Sequence, residues 1–174
     1  MIQFKSNNDF LLSALTDLFE QKNLIEKDLL NFPHKIIHLD DSTDKLILIF
    51  EDSKKSFSKP LTFSSIFNYL KKEIMRINYQ IDNLCYFPYL REIINGKIKI
   101  HLSDIQNKIL LILVANKNGV NKEGLYQFIW PNDKDISINK LDTHLTNLKN
   151  LISDELKFDV NFKSLDKNLK LIIN

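Results

Sequence analysis

Branched aliphatic residues recur at intervals of three and four through ISINKLDTHLTNLKNLI, residues 136–152, where Ile138, Leu141, Leu145, Leu148 and Ile152 fall on one stripe. That spacing is the repeat of one face of an α-helix, so the stripe is predicted to be core. The opposite face carries Asn139, Lys140, Thr143, His144, Thr146, Asn147 and Asn150 and almost no acid. A face that is merely solvated more usually mixes Glu with Lys at helical spacing. The polar set is therefore a candidate binding surface.

The same reading assigns the remaining elements. Residues 2–4 read as a short strand, and Asn8 or Asp9 caps a helix with apolar positions at Phe10, Leu11, Ala14, Leu15, Leu18 and Phe19. Residues 35–39 and 45–50 are apolar runs predicted as strands, joined by DDSTD, which suits a hairpin but leaves a parallel arrangement open. After SKKSFSKP, residues 61–76 predict a helix that buries Ile66, Phe67, Leu70 and Ile74.

From 77 to 101 the chain changes to short alternations, INYQI, LCYFPYL, REII and KIKIH, with Asn95-Gly96 as a hairpin turn. These predict a small antiparallel sheet. Ser103 and Gln106 form a capping box ahead of a helix with Ile105, Ile109, Ile112 and Leu113 on its apolar stripe, stopped by Asn118 and Gly119. Asn121 caps a shorter helix with Leu125, Phe128 and Ile129, ended by Trp130 and Pro131, and Trp130 is expected in the core. The strands LKFDVNF and NLKLII, joined by KSLDK, close the chain as a hairpin. Sheet, helix, helix, longer helix and hairpin is the order of a winged helix-turn-helix, in which the third helix enters a major groove.

Composition narrows the field only modestly. With 174 residues and 44% hydrophobic content the chain can build one domain or two small ones. A net charge of +2 makes no global case for a nucleic-acid partner, so any such case rests on local placement. Lys, Asn and Ile are abundant and Gly, Pro and Ala scarce, as an AT-rich coding sequence would produce, which lowers the weight of each single Lys or Asn. Cys85 stands alone, so an internal disulfide and a Cys-based zinc cage are excluded, and it is expected as a small buried hydrophobe. The first ten residues, MIQFKSNNDF, carry no long apolar run behind a basic end, and the most apolar stretch, 109–115, is far short of the roughly 20 residues of a membrane span. A cytoplasmic protein with no membrane contact is expected.

No chemistry-bearing constellation emerges. His34, His38 and His101 lack ligand spacing, and Gly96, Gly119 and Gly124 are too scattered to cradle a phosphate. A non-enzyme with no cofactor and no metal is expected.

LSDIQNKILLILVANKNGVNKEGLYQFIW, followed after seven intervening residues by INKLDTHLTNLKNLI, resembles the C-terminal effector domain of OmpR/PhoB-type response regulators. Leu102, Ser103, Leu110, Leu113, Val120, Leu125, Trp130, Leu141, Asp142, His144, Leu145, Leu148 and Lys149 fall on that family's pattern, over about residues 77–174. The resemblance implies a bacterial, sequence-specific DNA-binding transcription regulator. Its recognition helix, about 137–152, would place Asn139, Lys140, Thr143, His144, Thr146, Asn147 and Lys149 toward double-stranded DNA, and its C-terminal hairpin would be a wing with Lys163 and Lys167 beside phosphates. PNDKDIS corresponds to the loop that contacts RNA polymerase in some members. The chain departs from the family where arginines are usual: Asn139, Thr146 and Asn147 replace them, which suits adenine edges better than guanine.

Residues 1–76 would then be a short α/β receiver-like domain of the phosphorelay type, truncated and degenerate, acting in homodimerisation or partner contact. Lys59-Pro60 looks like the receiver's Lys-Pro pair, but no acidic pair follows the first strand to hold Mg²⁺. Asp40 and Asp41 are accordingly read as a turn, and regulation as phosphorylation-independent. The expected fold class is α+β, a winged helix preceded by a small antiparallel sheet. A second reading stays open: with ten Lys against nine Asp plus Glu over 101–174, the fold could serve as a protein-interaction module that has lost DNA affinity.

Overall fold

The computed structural model describes residues 2–21, 35–51, 53–133, 135–165 and 167–173. His34, Lys134 and Asp166, which belong to stretches considered above, lie outside them. The chain divides into two compact units, Met1–Arg76 and Ile77–Asn174.

Unit one contains β1 (Ile2–Ser6), α1 (Asp9–Gln21), β2 (Lys35–Asp40), β3 (Lys45–Phe50), β4 (Ser53–Ser58) and α2 (Phe63–Met75). Its sheet has the order β1-β2-β3-β4, with β1 parallel to β2 and the other two pairings antiparallel. A doubly wound receiver-type sheet would be parallel throughout. The short DDSTD connector makes the antiparallel return of a hairpin, and SKKSFS adds a strand that its polar composition concealed. Leu11, Leu15 and Phe19 of α1 and Ile66, Leu70 and Ile74 of α2 are buried. Phe19 stacks on Phe4 of β1 at 5.2 Å and on Phe67 of α2 at 5.0 Å. Phe10, expected on the apolar stripe, is 84% exposed because the stripe runs through every fourth residue from Leu11. Asn8 is the cap, its side-chain oxygen accepting the Leu11 amide at 3.0 Å.

Unit two begins with an antiparallel meander of β5 (Tyr79–Ile81), β6 (Leu84–Phe87), β7 (Glu92–Asn95) and β8 (Ile98–His101). Gly96 sits at φ +59° in the β7–β8 turn, as the Asn-Gly pair predicts. Cys85 is half-buried rather than buried, since the alternation of β6 turns Leu84 and Tyr86 inward. Helix α3 (Asp104–Ala115) opens with both halves of the capping box, Ser103 Oγ accepting from the Gln106 amide and Gln106 Oε1 from the Ser103 amide. It ends at Asn116, earlier than Asn118-Gly119. Buried Tyr86 ties meander to helix by donating to the Asn107 carbonyl at 2.9 Å.

Next come β9 (Val120–Asn121), α4 (Lys122–Ile129), α5 (Ile138–Leu156), β10 (Val160–Leu165) and β11 (Asn168–Ile173). The two-residue β9, too short to show in an alternation, joins the terminal hairpin in a sheet of order β10-β11-β9. Buried Leu110 and Leu113 of α3, Leu125 of α4 and Leu141, Leu145, Leu148, Ile152 and Leu156 of α5 form the helical core. Helix α5 runs one turn beyond residue 152 and stops at Lys157, which is left-handed at φ 52°. Asn95 on β7 donates to the Leu156 carbonyl at 3.0 Å, fixing that end to the meander.

Candidate nucleic-acid interface

Helix α5 has its apolar ridge inside and a polar arc outside. Asn139, Thr143, Thr146, Asn147 and Asn150 are exposed, while Lys140, His144 and Lys149 are half-buried at the flanks. Among the described residues, the Thr146, Asn147 and Asn150 side chains have no partner, so their donors and acceptors face solvent. Thr143 differs from expectation: its hydroxyl donates to the Asn139 carbonyl one turn back at 2.9 Å, leaving its oxygen lone pairs and methyl to a ligand.

Lys140 and His144 are already engaged within the fold. Lys140 Nζ reaches Asp133 Oδ2 at 2.8 Å and lies 4.3 Å from the centroid of the Trp130 ring. The His144 ring stacks on the same indole at 5.4 Å, and Trp130 stacks on Tyr126 at 4.7 Å. Buried Tyr126 donates its hydroxyl to Asp133 Oδ2 at 2.7 Å. Asp133 therefore collects two donors, and the hydrogen bond from Lys140, then that from Tyr126, holds its carboxyl below the usual carboxylate value. Trp130 is half-buried rather than core, and α4 buries Leu125 and Tyr126 in place of Phe128 and Ile129. The phenol explains the exchange, because its ring fills the interior while its hydroxyl finds the carboxylate at the surface.

On the other flank, Lys122 Nζ at the start of α4 meets Asp142 Oδ1 of α5 at 2.6 Å. The Lys122 amide donates to the Lys167 carbonyl at 3.1 Å, joining α4 to the wing turn. Lys163 and Lys167 are exposed, and Lys167 is left-handed at φ 65°. Lys163 pairs directly with Lys170 across β10 and β11, two like charges facing each other, an arrangement that costs stability unless an anion lies nearby. Gly119, at φ +93°, admits the Lys170 stem, since a Cβ there would lie 2.7 Å from Lys170 Cγ. Lys122, Lys170 and Asp133 were missed in the sequence because their placement depends on the wing register and on where α4 stops. The alternation in NLKLII was the available signal for Lys170.

In unit one, Asp41 is more than a turn residue. Asn8 Nδ2 donates to its Oδ2 at 2.7 Å, Asn7 accepts its amide at 3.2 Å, and Lys59 Nζ lies 3.0 Å from its Oδ1 as an ion pair. The hydrogen bond from Asn8, then that from Lys59, lowers its pKa. His38 and His101 are exposed. Among the described residues no group of three or more His, Cys, Asp or Glu could hold a metal ion, and no helix is long and apolar enough to cross a membrane.

No family model matches the chain, and no curated protein matches it. Solved structures do. The DNA-binding domain of E. coli CadC is similar with a TM-score of 0.46 and 12% identity, covering 55% of this chain and 91% of that one. A structure described as a novel family of redox sensors in the streptococci, evolved from two-component response regulators, is similar with a TM-score of 0.43 and 13% identity. That match covers 99% of this chain, which spans 66% of the other.

Proposed function

We propose that the chain is a sequence-specific DNA-binding transcription regulator of the OmpR/PhoB type. Its α5 enters a major groove and the β10–β11 hairpin lies along the neighbouring minor groove. The observation that carries the reading is the outward arc of α5, where amides and hydroxyls project opposite a ridge whose Leu141, Leu145, Leu148 and Ile152 are buried, Ile138 being half-buried at the helix start. Asn139 and Asn147 have the donor and acceptor geometry for adenine edges, and Thr143 and Thr146 offer methyls to thymine. Lys149, Lys163, Lys167 and Lys170 supply phosphate contacts, which set register and carry no sequence information.

Unit one is the input or dimerisation part, and its action is independent of phosphorylation. Asn7 and Asn8 stand beside Asp41 where Mg²⁺ would require carboxylates, and Lys59 already neutralises Asp41. Incubation with a labelled acyl phosphate is expected to leave the chain unlabelled, and stable incorporation at Asp41 would overturn this part.

The reading is tested by selecting duplexes from a random pool and titrating the enriched sequence by fluorescence anisotropy. Enrichment of an AT-rich site whose affinity falls steeply with salt is expected. Salt-insensitive binding with no enrichment would favour a protein-interaction role.

A further inference from the structure

We infer that Asp133 and Asp142 are internal competitors for DNA phosphate, each occupying a lysine of the helix-turn-helix that the duplex must take over on binding. This rests on the DNA-binding reading above. Two independent pairs support it: Lys140 of α5 is held by Asp133 of the α4–α5 loop at 2.8 Å, and Lys122 of α4 by Asp142 of α5 at 2.6 Å. Each pair joins one part of the motif to another, and the two lie on opposite flanks of the exposed arc.

The chemistry is that of exchange. The Lys140 and Asp133 side chains are 40% and 38% exposed, so the pair is worth little in water and can be broken. A phosphate on a duplex sits among many like charges and releases condensed counterions when neutralised, a gain that the isolated Asp133 carboxylate does not offer. Lys140 need not unfold anything to switch, since its ammonium, which lies over the Trp130 ring at 4.3 Å, is carried on a flexible side chain. Asp133 keeps the Tyr126 hydroxyl after the lysine leaves, so the loop stays anchored. The internal carboxylates thus lower affinity for every duplex alike and leave discrimination to the base-facing amides.

The test is an anisotropy titration of the full chain against the selected AT-rich duplex and a scrambled one, with wild type, Asp133→Asn, Lys140→Met and the double variant. Asparagine still accepts from Tyr126, and methionine keeps an unbranched, helix-compatible side chain at 140 without the ammonium, so both variants are expected to retain the fold; thermal melts check this. Asp133→Asn is expected to bind both duplexes roughly two- to five-fold tighter, the worth of an exposed ion pair. The ratio between the duplexes should not change, and most of the gain should vanish in the Lys140→Met background. Asp142→Asn should behave likewise toward Lys122→Met. Wild-type binding without any gain in Asp133→Asn, or a gain that persists undiminished with Lys140→Met, overturns the exchange while sparing the DNA reading. Absence of binding by every variant overturns both.

Discussion

Among the individual side chains, the proposed DNA-binding role gives the outward amides and the wing lysines separable duties. Asn147→Ala is expected to cost about 1–3 kcal/mol of binding to the selected site and to relax preference at one base pair, with the salt slope unchanged. Lys163→Ala should instead weaken selected and scrambled duplexes together and flatten the slope by about 0.9. Because Lys163 faces Lys170, the same change should raise stability slightly in the absence of DNA, which a melt would detect. Asp41 and Asp133 both have lowered pKa values, so their stabilisation is complete above the ordinary 3.8 and is lost as pH falls through the lower folded values. An acid titration should accordingly show Asp41→Asn and wild type converging in stability at low pH. The residues facing outward were legible in the sequence because helical periodicity sorts them. Their engagements were not: nothing in DTHLTNLK says that His144 will lie on an indole fourteen residues upstream.

The helix-turn-helix owes its geometry to two contacts between elements, the leucine ridge of α5 and the Tyr126–Asp133 hydrogen bond. Leu141 is fully buried, and Leu141→Ala should lower stability by about 2–5 kcal/mol, read by urea unfolding. Tyr126→Phe should cost only about 1 kcal/mol, since the ring stays and one hydrogen bond to a partly exposed carboxylate is lost. Trp130 is the chain's only tryptophan and lies against both Lys140 and His144. Its emission should therefore change on addition of a duplex in wild type and respond less in Lys140→Met. Long, strongly periodic elements such as α3 and α5 were readable from spacing alone, and the Ser103-Gln106 box gave a correct start. The short β9 and the polar β4 were hidden, because two residues carry no period and SKKSFS buries too little to alternate.

For the molecule as a whole, near-neutral charge does not preclude DNA binding, because Asp133 and Asp142, on the two flanks of the outward arc of α5, are already paired with lysines. If Lys149, Lys163, Lys167 and Lys170 meet phosphates, log affinity should fall with log salt at a slope of about −3.5, reaching about −5.5 if Lys122 and Lys140 join them. The division into two units at Arg76 and Ile77 follows the change from long elements to short alternations. The largely antiparallel order of the first unit was not foreseeable from the receiver resemblance, which rested there on one Lys-Pro pair. Under the proposed function, the arc of α5 and the wing form the surface a duplex occupies. Amide chemical-shift mapping of the full chain against the selected duplex tests it most directly. Perturbations concentrated at 138–150 and 163–170 are predicted, and a duplex that leaves those amides unmoved while shifting others would contradict it.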